Sequence, residues 1–186
     1  MATVTINNSP VHSTSIITNP FGIANSGYSC GWHTGIDFAP YGGTERNPYL
    51  YSVCSGEVVE VNLTPSLALG NNVVIKEDVT GNYWRFCHMV TGSVQVIQGQ
   101  RVTTSTIIGR MGATGNVTGI HLHLEYASTQ RWQCSTFLNP ANALGIPNVD
   151  NTIVEYSGTP PVPPVPPTRS KKKKFPWFIY WRRRFQ

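Results

Sequence analysis

The sequence predicts an all-β fold, a small antiparallel sheet or sandwich with short loops. Apolar and polar residues alternate in short runs, which is the period of a half-buried strand. The 17 glycines and 14 prolines among 186 residues interrupt these runs, as turns do in a β protein. A hydrophobic fraction of 40% in a chain of this length allows one core of ordinary size.

The strands can be placed in order along the chain. Residues 1–15 are polar and are predicted to form a loose lead-in. A turn at residues 78–81 should join two strands into a hairpin, and a bulge is expected near Gly56. One short helical turn is predicted near residues 140–144. The clearest predicted strands are residues 53–61, 72–77, 82–90, 93–97, 106–109 and 119–126.

Composition divides the chain into a body and a tail. Residues 16–156 are predicted to form the folded domain, and the proline-rich residues 157–168 a stiff linker. The last 18 residues hold eight of the 14 basic residues, whereas residues 1–168 hold six basic and nine acidic ones, a net charge of −3. The body is mildly acidic, and the tail is strongly basic.

The four cysteines are widely spaced and form no C-x-x-C pair, which argues against a structural zinc knuckle. They could pair in three ways or stay reduced. Residues 1–8 contain neither a basic residue nor an apolar run, so no secretory signal peptide is predicted, and mostly free, buried thiols are expected. No segment approaches the roughly 20 apolar residues of a membrane span.

One strand carries two histidines on the same face. In residues 119–126, His121, His123 and Glu125 alternate with Ile120, Leu122 and Leu124. Alternate residues of a strand point to opposite faces, so the two histidines and Glu125 should face solvent or a site, and the three aliphatic residues should face a core. Two imidazoles on one face of a rigid strand are a good half of a metal site.

His33 and Asp37 could supply the other half. Glycines at 31 and 35 and a proline at 40 disfavour a helix, so an extended segment should point both side chains the same way. With one histidine of the later pair, they make three protein ligands. A catalytic zinc typically has three such ligands and leaves its fourth position to water.

Each piece alone also has an ordinary interpretation. Two histidines on a strand are often polar surface, and His33 with Asp37 could be a simple hydrogen-bonded pair. His88 alone is more often a surface or core histidine than a catalyst. Four of the five histidines, His33, His88, His121 and His123, occur in these segments, and His12, in the polar lead-in, is expected to be exposed to solvent.

The ordered combination resembles the lysostaphin-type (LytM-type) zinc endopeptidases of peptidoglycan. The pattern is His-x-x-x-Asp at 33–37, a lone histidine ending an aromatic strand at 88, and Gly-x-His-Leu-His-Leu-Glu at 119–125. The likeness runs over residues 18–146, with an opening Asn-Pro-Phe-Gly at 19–22 and a Gly-rich loop at 109–115.

The resemblance implies a groove, one zinc ion held by His33, Asp37 and His123, and catalysis by His88 and His121. Glu125 is expected to orient one of the metal ligands without binding the ion itself. Either His88 or His121 could be the general base. Residues 23–30 and 42–49 depart from the family pattern, which leaves the substrate preference open.

The tail is predicted to be an irregular segment that binds an anionic envelope surface. Aromatic residues between basic blocks suit a headgroup interface, where each basic residue contributes about 1 kcal/mol. Teichoic acid, lipid or lipopolysaccharide would serve, whereas specific nucleic-acid binding is not expected; the alternative is a tail that only aids solubility. The candidate residues are Lys171, Lys172, Lys173, Lys174, Trp177, Trp181, Arg182, Arg183 and Arg184.

The sequence thus predicts a monomeric zinc endopeptidase that cuts peptidoglycan cross-links or stem peptides. It would be made in a host cytoplasm and act at the cell wall after release or within a virion, as a bacteriophage endolysin or tail-associated lysin. The alternatives are a catalytically inactive wall-binding or regulatory module, and a membrane-active peptide carried on a structural domain.

Overall fold

The computed structural model describes residues 1–159. It contains twelve strands and one helix in this part of the chain, which confirms the all-β prediction. The elements are β1 (Thr3–Ile6), β2 (Ser15–Asn19), β3 (Gly35–Pro40), β4 (Tyr49–Tyr51), β5 (Gly56–Asn62), β6 (Asn71–Glu77), β7 (Tyr83–Met89), β8 (Arg101–Val102), β9 (Ile107–Arg110), β10 (Leu122–Ala127), β11 (Phe137–Leu138), α1 (Pro140–Leu144) and β12 (Ile153–Tyr156).

Ten of the strands form one large sheet. Its order is β1-β12-β2-β3-β10-β7-β6-β5-β8, and β11 pairs with the end of β10. A second sheet consists of β4 and β9. The pairs are antiparallel, as predicted, except β1 with β12, which is parallel.

The alternation in the sequence separates a core face from a polar face. Leu122 and Leu124 of β10 and Ile36 and Phe38 of β3 are fully buried in one hydrophobic cluster, with Phe86 of β7 beside them. The residues between them on β3 and β10 lie on the opposite face, where the candidate site is found.

The hairpin and the short helix are confirmed. β6 and β7 pair antiparallel across the predicted turn. α1 covers the predicted residues because Asn139 caps its N-terminus by accepting from the backbone N–H of Ala141, and Gly145 ends it in the left-handed conformation at φ 71°.

Three local predictions are wrong. Residues 1–15 are not a loose lead-in, because β1 adds to the sheet beside β12. Residues 93–97 form no strand. The irregularity in β5 lies between Val58 and Glu60 rather than near Gly56. Gly56 instead allows close strand contact, since a Cβ there would overlap the carbonyl of Lys76.

The expectation of mostly free thiols is wrong for two of the four cysteines. Cys30 and Cys134 form a disulfide across 104 residues of sequence. Cys54 and Cys87 are free and buried, as expected. The error arose because the pairing joins two loops that meet only after the sheet has formed.

The tail predictions fall largely outside the described residues. β12 ends at Tyr156 and the description ends at residue 159, so the linker from 160 onwards and the tail at 169–186 lie beyond it. Within residues 1–159, no helix has the length and apolar character of a membrane span.

Candidate metal centre

Neighbouring strands bring the distant histidine segments together. β10 lies between β3 and β7 in the sheet. His123 of β10 is the direct cross-strand partner of Asp37 of β3, and His33 lies just before β3 begins. Paired residues of an antiparallel sheet share a face, so Asp37 and His123 meet on the polar face, next to His33.

Three potential ligand atoms form a compact triangle. His33 Nε2 lies 3.0 Å from His123 Nδ1 and 3.2 Å from Asp37 Oδ1. His123 Nδ1 lies 2.8 Å from Asp37 Oδ1. Ligands of a tetrahedral zinc with bonds of 2.0–2.1 Å are about 3.3 Å apart. Small outward shifts would therefore bring the three atoms to that spacing.

Hydrogen bonds behind the two imidazoles set their tautomers. His33 donates from Nδ1 to the carbonyl of Pro20 at 2.9 Å, which leaves the Nε2 lone pair facing the triangle. His123 Nε2 lies 3.2 Å from Glu125 Oε1, which leaves Nδ1 facing the triangle. Metal-binding histidines typically donate their other N–H in this way. The donor set of two imidazole nitrogens and one carboxylate oxygen fits zinc.

The charges at the triangle favour a cation. Burial alone would raise the pKa of Asp37, but the hydrogen bond from His123 and the neighbouring His33 hold this pKa well below its usual range. Burial alone would lower the pKa of His123, but hydrogen bonds to Asp37 and Glu125 raise it to about 9. A metal ion would replace that proton, so the two compete for the site.

Gly35 makes room for the His123 ring. A Cβ at Gly35 would lie 2.6 Å from the carbonyl oxygen of Leu124 and 2.7 Å from His123 Cε1. Any other residue would therefore push the imidazole or β10 out of place. This glycine, noted in the sequence only as a helix breaker, is required by close packing.

His88 and His121 lie side by side next to the triangle. Their ring centroids are 4.8 Å apart, and the His88 ring is 5.8 Å from that of His123. His88 donates from Nδ1 to the carbonyl of Thr114, and His121 donates from Nδ1 to the carbonyl of Gly119, each at 2.9 Å. Both rings therefore keep an Nε2 lone pair.

His88 is placed by an unusual backbone conformation. Its φ is 62°, in the left-handed region that residues other than glycine seldom adopt. Its backbone N–H donates to the carbonyl of Leu69, outside the ladder of the sheet. Burial, then the neighbouring His123 and His121, lowers the pKa of His88 to about 4, so the ring is neutral at pH 7.

The structure brings together the five residues that the sequence grouped, and it places Glu125 against His123. The expectation for His12 is wrong. His12 is 6% exposed, and its ring is stacked between Tyr51 and Tyr156, with centroid distances of 3.6 and 3.7 Å. The lead-in packs against the body of the domain because Val11 bridges to Leu50 of β4, and this carries His12 inward.

Sequence reasoning missed the partners of Glu125. Arg85 lies directly opposite Glu125 in the pairing of β7 with β10, and its Nε donates to Oε2 at 2.5 Å. Thr34 donates to Oε1 at 2.7 Å. Burial alone would raise the pKa of Glu125, but the hydrogen bond from His123 and the charges of His123 and Arg85 lower it to about 2. A lone arginine in an aromatic strand was the available signal, but only the strand register identifies its partner.

Tyr28 was also missed. Its ring centroid lies 5.3 Å from that of His33, and its hydroxyl accepts a hydrogen bond from Asn19 at 2.9 Å. It belongs to the segment that departs from the family pattern, so the motifs did not point to it. Its position puts an aromatic hydroxyl at the edge of the site.

Solved structures share this architecture. The catalytic domain of the antimicrobial peptidase lysostaphin from Staphylococcus simulans is 26% identical, with a TM-score of 0.58, over 69% of this chain and 91% of that one. A zinc-containing peptidase from Vibrio cholerae is 31% identical, with a TM-score of 0.53, over 65% of this chain and 36% of that one.

The sequence comparisons agree. The peptidoglycan DD-endopeptidase ShyA of Vibrio cholerae serotype O1 is 38% identical over 93 residues, which are 50% of this chain but only 20% of that relative. The model of Peptidase family M23 matches residues 31–134, more than half of the chain and the whole stretch from His33 to Glu125. The chain is therefore a member of Peptidase family M23.

Proposed function

We propose that this chain is a zinc-dependent endopeptidase that hydrolyses peptide bonds in bacterial peptidoglycan. One observation carries the proposal: the ligand atoms of His33, Asp37 and His123 lie within 4.8 Å of one another, and two further histidines flank them. Membership of a peptidase family and a relative named as a peptidoglycan endopeptidase support the substrate class.

His33, Asp37 and His123 would hold the zinc ion. When bound, zinc supplies Lewis acidity, which polarises a scissile carbonyl and lowers the pKa of water. Glu125 and the Pro20 carbonyl hold the two imidazoles with one nitrogen each towards the ion. Two neutral imidazoles and one carboxylate leave an open position for a reacting molecule.

His88 and His121 would handle the protons of the reaction. Each has an Nε2 lone pair because its Nδ1–H is bound to a backbone carbonyl. One ring can take the proton of the attacking water and pass it to the departing amine. The other ring, after taking up a proton from solvent at Nε2, can donate it to the oxygen that becomes negative. The assignment between the two stays open, as it was from the sequence.

A cavity of about 800 Å³ borders Glu125, the partner of His123 Nε2, and has space for a peptide. Thr34 and Glu125 line it together with Arg85, Trp132 and the Cys30–Cys134 disulfide. The carboxylate of Glu125 is paired with Arg85, so the charges in the wall compensate each other. We infer that this cavity accepts an uncharged stretch of the stem peptide or cross-link.

Digestion of purified peptidoglycan tests the proposal. The full chain should release fragments whose new amino and carboxyl termini, identified by mass spectrometry, reveal the bond that is cut. A chelator should abolish release, and added zinc should restore it. His121→Ala should keep the metal and lose activity. Undiminished digestion by metal-free protein would refute the proposal, and zinc binding without digestion would favour an inactive wall-binding module.

We also propose that the tail holds the enzyme to an anionic envelope. The basic and aromatic residues lie at positions 171–174, 177 and 181–184, outside the described residues, and their composition is typical of a segment that binds an anionic interface. Replacing Lys171 to Lys174 and Arg182 to Arg184 by glutamine should weaken binding to anionic vesicles and remove its salt dependence. Cleavage of soluble fragments should not change. The lysin role in a bacteriophage stays a prediction from the sequence.

A further inference from the structure

A continuous series of contacts leads outward from the ligand His123. Glu125 Oε1 lies 3.2 Å from His123 Nε2. The other carboxylate oxygen, Oε2, accepts from Arg85 Nε at 2.5 Å and from a second guanidinium nitrogen. Glu125 and Arg85 are both largely buried, with side chains 2% and 12% exposed. Arg85 is thus the group that fixes the far side of the carboxylate.

An aromatic ring covers Arg85 in turn. The guanidinium carbon lies 3.9 Å from the ring centroid of Trp132. Trp132 belongs to the loop between β10 and β11, in the left-handed backbone region at φ 50°. The disulfide from Cys134 ties this loop to Cys30, three residues before the other histidine ligand, His33. The outer contacts therefore connect the segments that carry both histidine ligands.

We propose that Arg85 and Trp132 are positioning residues for the metal centre. Arg85 holds the Glu125 carboxylate in the one orientation that meets His123 Nε2, and Trp132, anchored by the disulfide, holds the guanidinium in place and limits its access to water. A planar guanidinium suits both tasks, because it donates two parallel hydrogen bonds and stacks on an aromatic face. The inference rests on the proposed zinc site.

The purely structural alternative predicts a different result. If the Arg85 cluster only stabilises the fold, its loss should lower stability without a specific effect on the metal. The chain offers a matched control, since Arg110 stacks on Tyr49 at 3.8 Å and pairs with Glu45 at 3.2 Å. None of these three control residues contacts the metal centre among the hydrogen bonds and ion pairs of residues 1–159.

The test measures zinc affinity and dissociation rate by chelator competition on the full-length protein, with the thermal midpoint of the metal-free form measured in parallel. Loss of a partner behind a metal-binding histidine typically weakens metal binding about 10–100-fold. Arg85→Met should therefore weaken zinc binding at least about 10-fold. Arg110→Met should leave it unchanged while lowering the thermal midpoint.

Trp132 keeps the proposal testable if Arg85→Met fails to fold. Trp132→Ala should speed zinc dissociation, and Trp132→Phe, which keeps an aromatic face, should restore most of the wild-type rate. A wild-type zinc dissociation rate in Trp132→Ala would overturn the proposal by itself, and so would equal losses of zinc affinity in Arg85→Met and Arg110→Met.

A double-mutant cycle identifies the route of the effect. If Arg85 acts through Glu125, then Arg85→Met should add little to the loss of zinc affinity already caused by Glu125→Gln. Fully additive losses would overturn the positioning role. These readouts do not involve hydrolysis, so they stand even if the chain proves inactive on peptidoglycan. If wild type bound no zinc, both the zinc-dependent function and this inference would fail, whereas zinc binding without hydrolysis would overturn the function alone.

Discussion

Two buried histidines in this domain have almost the same exposure and opposite chemistry. His123 is 7% exposed and His12 is 6% exposed. His123 lies between the carboxylates of Asp37 and Glu125, and its pKa is raised to about 9. His12 lies between the rings of Tyr51 and Tyr156, and burial lowers its pKa to about 4.

The difference shows that partners, rather than burial, decide what a buried imidazole can do. Removal from water disfavours the charged form of both rings. At His123, two buried negative charges outweigh this cost and would equally attract a metal ion. At His12, neither ring nitrogen has a hydrogen-bond partner within residues 1–159, so the ring is held neutral. Only the first environment can bind a cation.

Removing each imidazole should give the largest contrast. His123→Ala should weaken zinc binding more than about 100-fold, since even loss of a partner behind a ligand costs about 10–100-fold. Peptidoglycan digestion should fall with it. His12→Phe keeps an aromatic ring between the two tyrosines and should retain both properties. Zinc content after dialysis and fragment release from purified walls are the two measurements.

Either of two results would break this contrast. Zinc retained by His123→Ala with wild-type affinity would mean that another group completes the site. Loss of zinc from folded His12→Phe would mean that the aromatic stack is coupled to the metal centre. Circular dichroism of both variants provides the folding control.

The contrast also explains how far the sequence could predict the site. Strand period and residue type were enough to combine His33 and Asp37 with one histidine of the 121/123 pair, because side-chain parity on a strand is a local property. Glu125 could be placed near His123 for the same reason. The resemblance to the lysostaphin-type family was needed to select His123 as the ligand and to add His88 and His121 as catalysts. The general base could not be assigned, since both catalytic candidates have the same donor arrangement in the structure as well.

The failures have a common physical cause. The positions of His12, Arg85 and the Cys30–Cys134 disulfide depend on contacts between segments far apart in sequence. Polarity suggested that residues 1–15 were loose, but β1 gains its hydrogen bonds from β12, about 150 residues later. Arg85 meets Glu125 only through the strand register. No local pattern contains that information.

The metal-free protein should lose stability at alkaline pH because of His123. Its folded pKa of about 9 lies above the ordinary value of 6.5, so the folded state binds a proton that the unfolded state has released. This contribution is complete below pH 6.5 and is lost as pH rises through 9. Between pH 6.5 and 10 it corresponds to about 3 kcal/mol of unfolding free energy.

Denaturant unfolding of metal-free wild type and metal-free His123→Gln at both pH values checks this prediction. The variant should lack the alkaline loss, and so should zinc-loaded wild type, in which the ion takes the place of the proton. Zinc uptake should accordingly release a proton at pH 7. Parallel alkaline curves for the two metal-free proteins would show that the carboxylates do not hold a proton on His123.

His12 should have the opposite and smaller effect, on the acid side. Its folded pKa of about 4 lies below the ordinary 6.5. The unfolded state therefore takes up a proton first, and stability falls as pH decreases from 6.5 towards 4. Between pH 7 and pH 5, proton uptake by His12 in the unfolded state should lower the free energy of unfolding by about 2 kcal/mol. The pKa of His88 is also lowered from 6.5 to about 4, so the unfolding free energy of wild type should fall by more than the contribution of His12 alone.

The difference between wild type and His12→Phe in the loss of unfolding free energy between pH 7 and pH 5 gives the contribution of His12. Asp37 and Glu125, whose pKa values are lowered, lose their contributions mainly below pH 5 and do not obscure the difference. A His88→Gln variant measures how much unfolding free energy His88 costs between pH 7 and pH 5. After that loss is subtracted, His12→Phe should have nearly the same unfolding free energy at the two pH values. If wild type and His12→Phe instead lost equal stability between pH 7 and pH 5, protonated His12 would be as stable in the folded protein as in water.

The faces of Tyr51 and Tyr156 would then stabilise an imidazolium by cation–π attraction. The two buried histidines would in that case differ in their access to a metal ion rather than in their ability to carry a charge.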